Sequence, residues 1–223
     1  KYDLMDANFC TSDPKSLKFK KEKPIYYLPN PVDESFEKLK NYQNKYLNKD
    51  VFFAMSHGVH RGVLKRGKFD ERENLIEKLK LLTPNIKYDL YGMNNNQPIW
   101  ADNFINKISK SKMGLNLSQG KPVKYYSSDR FAQMIGNGLL VFIDKKTKFS
   151  DFLSRNEIIT YDSLRDLSKK IIKYNKNDQL RKKIAKKGRD KYFKYFNSTI
   201  ISQYILDKTF NFKKRKYFLG KKN

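Results

Sequence analysis

The sequence predicts an α/β fold in which helices cover both faces of a doubly wound, mostly parallel sheet. Short apolar runs alternate along the chain with segments whose apolar residues recur every three or four positions, which is the spacing of an amphipathic helix. The run 139–143 (Leu-Leu-Val-Phe-Ile) is apolar throughout, as expected of a parallel strand that is covered on both faces. Strands separated by helices of about ten or more residues are typical of a parallel sheet.

The first half of the chain contains three predicted strands and two predicted helices. A short strand at 23–28 ends at the rigid turn Pro29-Asn30-Pro31, and Asp33 is a candidate N-cap for a helix over 34–46. The other elements are a buried strand at 50–55, a glycine-punctuated loop at 56–62, a helix at 69–82 and a strand at 86–91.

The second half continues the alternation and adds helices at its end. The predicted strands are 112–117, 139–143 and 157–161, and the predicted helices are 100–109, 128–135, 164–174, 178–193 and 198–210. We interpret Trp100 as a packing residue at the start of its helix, with stacking on a nucleobase as the alternative. A ligand crevice is expected beyond the carboxyl ends of the strands.

The charge of the chain is strongly basic but evenly spread. The 223 residues include 48 Lys and Arg against 23 Asp and Glu, a net charge of +25, and only nine of the basic residues are arginine. This distribution weakens a nucleic-acid interpretation and favours a solvated basic surface, with attraction to anionic membrane lipids or to polyanionic substrates as the alternatives. The one concentrated cluster is Lys213-Lys214-Arg215-Lys216 near the C-terminus.

Cysteine and histidine content excludes two classes of small domain. The single cysteine, Cys10, rules out an internal disulfide framework and fits a reducing compartment. Two histidines and one cysteine cannot assemble a Cys/His zinc site.

No apolar stretch approaches the roughly 18 residues needed for a transmembrane helix.

The loop after the strand at 50–55 is the first candidate anion site. Gly58 and Gly62 allow close approach of the backbone, and mobile cations follow within one short stretch. These cations are Arg61, Lys65 and Arg66. An ordinary surface loop is the alternative, because the glycine spacing matches no standard phosphate-binding motif. We interpret His57 and His60 as polar loop residues, with acid–base catalysis as the alternative.

The segment Tyr125–Arg130 is the second candidate anion site. Ser128 and Asp129 are good N-cap residues, and the start of a helix attracts anions. Arg130 lies in the first turn, where a cation opposes the helix dipole unless something negative binds there. The alternative is an ion pair between Arg130 and Asp129 or another carboxylate.

Several motifs, in their order along residues 24–207, resemble glycosyltransferases of the GT-B type. The segment 128–142 (Ser-Asp-Arg-Phe-Ala-Gln-Met-Ile-Gly-Asn-Gly-Leu-Leu-Val-Phe) is similar to the donor-site helix and following strand of group-1 enzymes with a spore-coat-type C-terminal domain. The stretch 27–33 resembles the interdomain passage of these enzymes, and 52–58 with Arg61 resembles the first strand and the phosphate loop of the nucleotide domain. The closing strand and helices of that domain are similar to 156–162 and 184–192.

This resemblance implies the donor-binding half of a GT-B architecture. A Rossmann-like nucleotide-sugar-binding domain is expected at 49–176, after an interdomain linker or the end of a truncated N-terminal domain at 1–48 and before C-terminal helices and a basic tail at 177–223. The implied activity is that of a hexosyltransferase, which moves a sugar from a nucleotide-diphospho-sugar to a saccharide, lipid-linked or other hydroxyl acceptor without a cofactor or bound metal. The acceptor-activating base is expected on the missing N-terminal domain.

The expected setting is cell-envelope polysaccharide biosynthesis in the cytoplasm, with peripheral association with an anionic membrane and no nucleic-acid partner. Two alternatives remain: a basic nucleic-acid-binding module, and a catalytically inactive Rossmann-like domain that serves in assembly.

The resemblance also assigns site residues by position. The donor diphosphate would contact Gly58, Arg61, Lys65, Arg66, Ser128 and Arg130. Gln133 stands where these families have a glutamate that hydrogen-bonds the ribose, and Tyr125 stands where many have a glutamate near the sugar. A glutamine forms a weaker hydrogen bond than a carboxylate, and the loss of the other glutamate leaves the retaining or inverting outcome open.

Overall fold

Strands and helices alternate along the part of the chain that the computed structural model describes, which is residues 5–17, 24–56, 70–212 and 215–218. The strands are β1 (Asn8–Cys10), β2 (Ile25–Tyr27), β3 (Lys49–Ala54), β4 (Tyr88–Tyr91), β5 (Ser111–Asn116), β6 (Leu140–Asp144) and β7 (Ile159–Tyr161). The helices are α1 (Glu71–Leu82), α2 (Ala101–Ile108), α3 (Asp129–Gly136), α4 (Leu164–Lys176), α5 (Asp178–Phe196) and α6 (Ser198–Thr209).

The central sheet confirms the predicted doubly wound α/β fold. Its five described strands lie in the order β4-β3-β5-β6-β7, and every neighbouring pair is parallel. After β3 the chain first adds β4 on one side and then β5 on the other, so the winding direction reverses between β3 and β5. In open parallel sheets the ligand crevice forms at such a reversal, beyond the carboxyl ends of the strands. The short strands β1 and β2 form a separate parallel pair.

Helices bury both faces of the sheet. Phe52 and Val141 face one apolar cluster, to which α2, α3 and α5 contribute. Phe53 and Phe142 face the other, which includes residues of α1 and α4. Because successive residues of a strand point to opposite faces, uninterrupted apolar runs such as those of β3 and β6 are what a sheet covered on both sides requires.

The predicted helix over 34–46 is wrong. These residues form turns and irregular chain, and their backbone groups are used by other elements. The N–H groups of Leu39 and Asn41 donate to the side-chain Oδ1 (3.0 Å) and the carbonyl oxygen (3.1 Å) of Asn137, beyond the end of α3. The side chain of Asn41 is buried and donates to the carbonyl oxygen of Ile108 over 2.7 Å. Tertiary contacts therefore override the local helical spacing.

The residues before β3 pack closely on the helices of the central unit. Val32 is buried, and its N–H donates to the carbonyl oxygen of Phe196 over 3.0 Å. The guanidinium of Arg189 donates to the carbonyl oxygens of Gly136 (2.7 Å) and Glu37 (3.2 Å). The division of the chain at residues 48 and 176 stays a prediction.

Candidate functional site

A cleft of about 350 Å³ opens at the carboxyl edge of the sheet, next to the ends of β3 and β5. Three helices begin at its wall: Arg72 is the second residue of α1, Ala101 is the first of α2, and Arg130 is the second of α3. The start of each helix carries a partial positive charge of about half a unit. The cleft therefore lies at the place that the fold class predicts, and its walls favour an anionic ligand.

Arg130 is a partly buried cation at the start of α3. Its Nε lies 3.4 Å from the hydroxyl of Ser128 and its Nη2 lies 3.5 Å from the carbonyl oxygen of Leu117, so both hydrogen bonds are long. Among the described residues Arg130 forms no ion pair, which contradicts the alternative that it pairs with Asp129 or another carboxylate. Burial lowers the pKa of the guanidinium to about 10, and the nearby charge of Arg72 adds to this effect. A negatively charged ligand would relieve this cost.

Arg72 is the second arginine of the cleft, and its charge is balanced. Its Nε and Nη2 donate to the two carboxylate oxygens of Asp70 over 2.9 and 2.6 Å, and both side chains are buried. Asp70 is also the N-cap of α1, because it accepts a hydrogen bond from the backbone N–H of Arg72. The pair is held rigidly, and the cleft wall also carries the cation of Arg130 and the carboxylate of Asp129.

The start of α3 is open toward the cleft. Ser128 occupies the N-cap position, but its hydroxyl donates to the Oδ1 of Asn116 over 2.7 Å and accepts no hydrogen bond from a backbone N–H of α3 in the described structure. In the part of the chain that the structure describes, the backbone N–H groups of Asp129 and Arg130 have no hydrogen-bond partner. Two amides and one guanidinium are therefore available for the same anion.

Gln133 and Tyr125, the predicted ribose and sugar residues, lie in different surroundings. Gln133 lines the cleft one turn after Arg130 on α3. Tyr125 is not among the residues that line it; its hydroxyl donates to Asp151 over 3.0 Å, and its N–H donates to the carbonyl oxygen of Thr147 over 2.7 Å. Its backbone is left-handed, with φ of 63°. The roles of both residues stay predictions.

The first candidate anion loop lies outside the described residues. Gly58, Arg61, Lys65 and Arg66, together with His57 and His60, all fall between residues 57 and 69. Of the six residues predicted to contact the diphosphate, the structure therefore places Ser128 and Arg130, and both line the cleft. The expectation that Arg61 and Arg130 contact the same diphosphate stays a prediction.

Two cleft residues differ from the sequence interpretation. Arg72 was not predicted, although it shows the same signal as Arg130, a cation in the first turn of a helix. Trp100 is 51% exposed and lines the cleft, so packing accounts for only part of its surface, and the alternative of stacking on a nucleobase stays open. Nothing in the sequence distinguishes an exposed indole from a buried one at the start of a short helix.

Comparison with known proteins identifies the family. The family described as "Glycosyl transferase-like" matches residues 69–207, which is more than half of the chain. The chain belongs to this glycosyl transferase-like family. The match begins immediately before α1 and ends within α6, so the three helix starts around the cleft lie in the family's region. No curated protein matches the chain by sequence.

Solved structures with the same fold are glycosyltransferases and related enzymes of the GT-B type. A mutant of TarM from S. aureus, in complex with Fondaparinux, alpha-GlcNAc-glycerol and UDP, is 14% identical, with a TM-score of 0.65 over 93% of this chain and 44% of its own. Alr3699/HepE from Anabaena, in complex with UDP and glucose, is 12% identical, with a TM-score of 0.63 over 89% and 61%. An alpha-glucosyltransferase in complex with UDP-glucose and DNA containing an abasic site is 15% identical, with a TM-score of 0.59 over 86% and 60%. The glycosyl transferase-like chain thus spans about half of these proteins and shares their Rossmann-like fold.

The described part of this glycosyl transferase-like chain holds no group of three or more His, Cys, Asp or Glu side chains that could bind a metal ion. The cleft instead offers cationic and N–H groups to a ligand, namely Arg130, Arg72 and the start of α3. These are groups that bind a phosphate directly.

Proposed function

We propose that the chain is the donor-binding half of a hexosyltransferase that uses a nucleotide-diphospho-sugar. The observation on which the proposal rests is the partly buried Arg130, which forms no ion pair with any described residue and lies at the open start of α3, in the cleft at the carboxyl edge of the sheet. Membership of the glycosyl transferase-like family supports it, as do the UDP and sugar ligands named for the solved structures of similar fold. The nucleobase and the sugar of the donor are not assigned.

The chemistry of the donor explains why such a site is useful. Cleavage of the anomeric C–O bond leaves negative charge on the departing nucleoside diphosphate. Fixed donors aimed at that charge lower the barrier, and one well-placed donor is typically worth about 3 kcal/mol. The amides of Asp129 and Arg130 are held in place by α3 before the donor arrives, and the Arg72–Asp70 pair fixes the neighbouring wall.

The ribose and acceptor sites complete the proposal. Gln133 lies one turn after Arg130 and lines the same cleft, which supports a hydrogen bond from its amide to a ribose hydroxyl. The acceptor is proposed to be a saccharide or another hydroxyl compound, because the solved relatives include complexes with sugars. We expect the acceptor-activating base on a second domain, so no residue of this chain is assigned to that role.

Peripheral association with an anionic membrane is a further part of the proposal. Phe210 and Phe212 are more than half exposed and stack on each other with ring centroids 5.6 Å apart, immediately before the basic run 213–216. Exposed aromatic rings beside clustered cations favour a surface of anionic lipid. No helix in the described ranges combines the length and apolarity needed to cross a bilayer. Binding of the chain to vesicles with and without phosphatidylglycerol tests the membrane association. The expected cytoplasmic location and the role in cell-envelope polysaccharide synthesis remain predictions.

Calorimetric titration of the full chain with UDP, GDP, ADP and inorganic pyrophosphate tests the donor site. At least one nucleoside diphosphate is expected to bind, and Arg130→Ala to weaken this binding about tenfold or more because it removes a charged hydrogen-bond donor. The exposed Arg155→Ala is the matched control and is expected to bind as the wild type does. Absence of binding, or equal loss in both variants, would overturn the proposal.

Nucleic-acid binding remains the competing hypothesis, since one solved structure of similar fold contains DNA. A chain that binds nucleic acid through its general basic charge would lose affinity steeply with salt and would keep it in Arg130→Ala. Gel-shift titrations at two salt concentrations with both variants separate the two hypotheses.

A further inference from the structure

A second cavity, of about 450 Å³, opens at the carboxyl edge of the sheet beside the cleft of Arg130, which is called the donor cleft below. The second cavity lies between the start of α1, the chain that follows β5, and the ends of β6 and β7. Of the described residues, Arg72 and Ser118 alone line both cavities. The two are therefore neighbours with different walls, and the proposed function uses the donor cleft alone.

The second cavity is built on the ends of three neighbouring parallel strands. Asn116, Asp144 and Tyr161 are the last residues of β5, β6 and β7, and all three line it. In the register of the sheet Asp144 lies opposite Tyr161. Open parallel sheets bind ligands at this edge. The fold thus brings an amide, a carboxylate and a phenol to one cavity.

The amide of Asn116 has a free donor. Its Oδ1 accepts the hydrogen bond of Ser128, but its buried Nδ2 has no hydrogen-bond partner in the described chain. Buried N–H groups in native proteins nearly always have a partner, because leaving one unpaired is costly. Asn116 lines the second cavity and not the donor cleft, so a ligand of the second cavity is the one that can accept from this group.

Asp144 and Tyr161 add a free acceptor and a second free donor. The Oδ1 of Asp144 accepts from the N–H of Lys146 over 2.7 Å, and among the described residues its Oδ2 accepts no hydrogen bond. The hydroxyl of Tyr161 likewise has no hydrogen-bond partner in the described chain. Burial, and then the charge of Asp144, raise the pKa of Tyr161, so its hydroxyl keeps the proton that it can donate.

The charges of the second cavity are balanced, which favours a neutral ligand. Its lining holds the carboxylates of Glu71 and Asp144 and the cations of Arg72 and Lys121. The cation of Arg72 is already paired with Asp70, so in the described wall Lys121 is the one unpaired cation and two carboxylates accompany it. A phosphate would meet like charge here and is disfavoured.

We propose that the second cavity binds one unit of a neutral saccharide, at a site separate from that of the donor. A sugar hydroxyl can donate one hydrogen bond and accept another, so hydroxyls of one ring can satisfy the carboxylate of Asp144 and the donors of Asn116 and Tyr161 together. The apolar C–H groups of the ring fit the remaining wall, which includes Leu75, Leu117 and Pro122. Few polar groups on an otherwise apolar wall are typical of small-molecule sites.

Saturation-transfer difference NMR on the full chain tests the site. Glucose, galactose and N-acetylglucosamine serve as free sugars, and maltotriose and chitotriose represent the end of a glycan, which carries the same groups. At least one of these compounds is expected to bind in a saturable manner. Binding is expected to persist when UDP is present, because UDP is directed to the other cavity.

Variants locate the bound sugar. Tyr161→Phe removes the hydroxyl and keeps the ring, and we expect it to weaken sugar binding about threefold to tenfold. Asp144→Asn keeps an oxygen for the N–H of Lys146 but removes the charge, and we expect a loss of about tenfold. Tyr174→Phe is the matched control, since Tyr174 is a buried tyrosine of the same apolar cluster that does not line the cavity. It is expected to bind as the wild type does.

Two results would overturn the inference. One is sugar binding that UDP displaces, or that is equal in Tyr161→Phe, Asp144→Asn and Tyr174→Phe, because the sugar then lies elsewhere. The other is absence of binding by all five saccharides to the folded wild-type chain. Either result leaves the proposed function standing, because that function is decided by nucleotide binding and its dependence on Arg130. Circular dichroism of each variant establishes that it is folded, and Tyr161→Phe decides the matter if Asp144→Asn does not fold.

Discussion

Ser128 donates its hydroxyl hydrogen bond to Asn116 across 2.7 Å, although it stands at the N-cap of α3. The bond joins the first turn of α3 to the last residue of β5, and it leaves the amides at the start of the helix free for a ligand. A side chain that usually closes a helix start thus fixes the position of the helix and keeps its start open. This arrangement explains how a serine can support an anion site without contributing its own hydroxyl to the helix.

Ser128→Ala is expected to lower the free energy of unfolding and to have a smaller effect on nucleotide affinity. Asn116 is 2% exposed, and its Nδ2 already has no hydrogen-bond partner in the described structure, so the variant leaves the whole amide unsatisfied. We expect the free energy of unfolding to fall by about 1–3 kcal/mol in urea denaturation. The exposed Ser150→Ala serves as control, and nucleotide affinity should fall less than in Arg130→Ala. Equal stability of the two serine variants would contradict this account.

Arg130→Met is expected to separate stability from binding. Methionine keeps the long, apolar stem of arginine but removes a partly buried cation that forms no ion pair with any described residue, and burial already lowers the pKa of this guanidinium. The unliganded variant should therefore be as stable as the wild type or more stable, by about 1 kcal/mol, while affinity for a nucleoside diphosphate falls. Thermal denaturation without ligand and calorimetry with ligand measure the two effects. A clear loss of stability in the unliganded variant would show that Arg130 has a structural role.

The sequence was sufficient to predict the central sheet, its helices and the short strand β2, but not the conformation of residues 34–46. The strands β3 and β6 are apolar on both faces, and this local pattern already implies helices on either side. The apolar residues of 34–46 also have helical spacing, yet hydrogen bonds of Asn41 and Asn137 hold this backbone in a non-helical conformation. Such long-range hydrogen bonds leave no trace in a local periodicity, which is why this prediction failed.

The candidate site shows the same limit. The conflict between Arg130 and the helix dipole was visible in sequence, and the side chain lies in the cleft. The same conflict at Arg72 was visible too, but only the structure shows that α1 and α3 begin at one cleft. Which side chain of a loop is exposed, as Trp100 is, depends on packing between distant elements and cannot be derived from spacing.

Asp33 is expected to make the protein sensitive to acid. Its carboxylate accepts hydrogen bonds from the hydroxyl of Ser198 and from the hydroxyl and N–H of Ser35, and these bonds lower its pKa from 3.8 to about 2. Because the folded state holds the ionised form, the stabilisation is complete above pH 3.8 and is lost as the pH falls toward 2. The difference in melting temperature between the wild type and Asp33→Asn should shrink over that range. Ser198→Ala should reduce this pH dependence, whereas a constant difference would exclude the linkage.

Gly188→Ala tests how closely α5 packs on the chain that precedes β7. In an isolated helix the substitution would be favourable by about 1 kcal/mol, because glycine is the poorer helix former. Here a Cβ atom at position 188 would lie 2.2 Å from the carbonyl oxygen of Glu157 and 3.3 Å from the Cδ1 of Ile135. Because the closer contact is with a backbone atom, α5 would have to move to remove this clash. We expect a net loss of about 1–3 kcal/mol in the free energy of unfolding. The exposed neighbour Lys187→Ala provides the matched control and should be nearly neutral. If Gly188→Ala were the more stable of the two, α5 could not approach Glu157 this closely, and the position of Arg189, which joins α5 to the end of α3, would have to be revised with it.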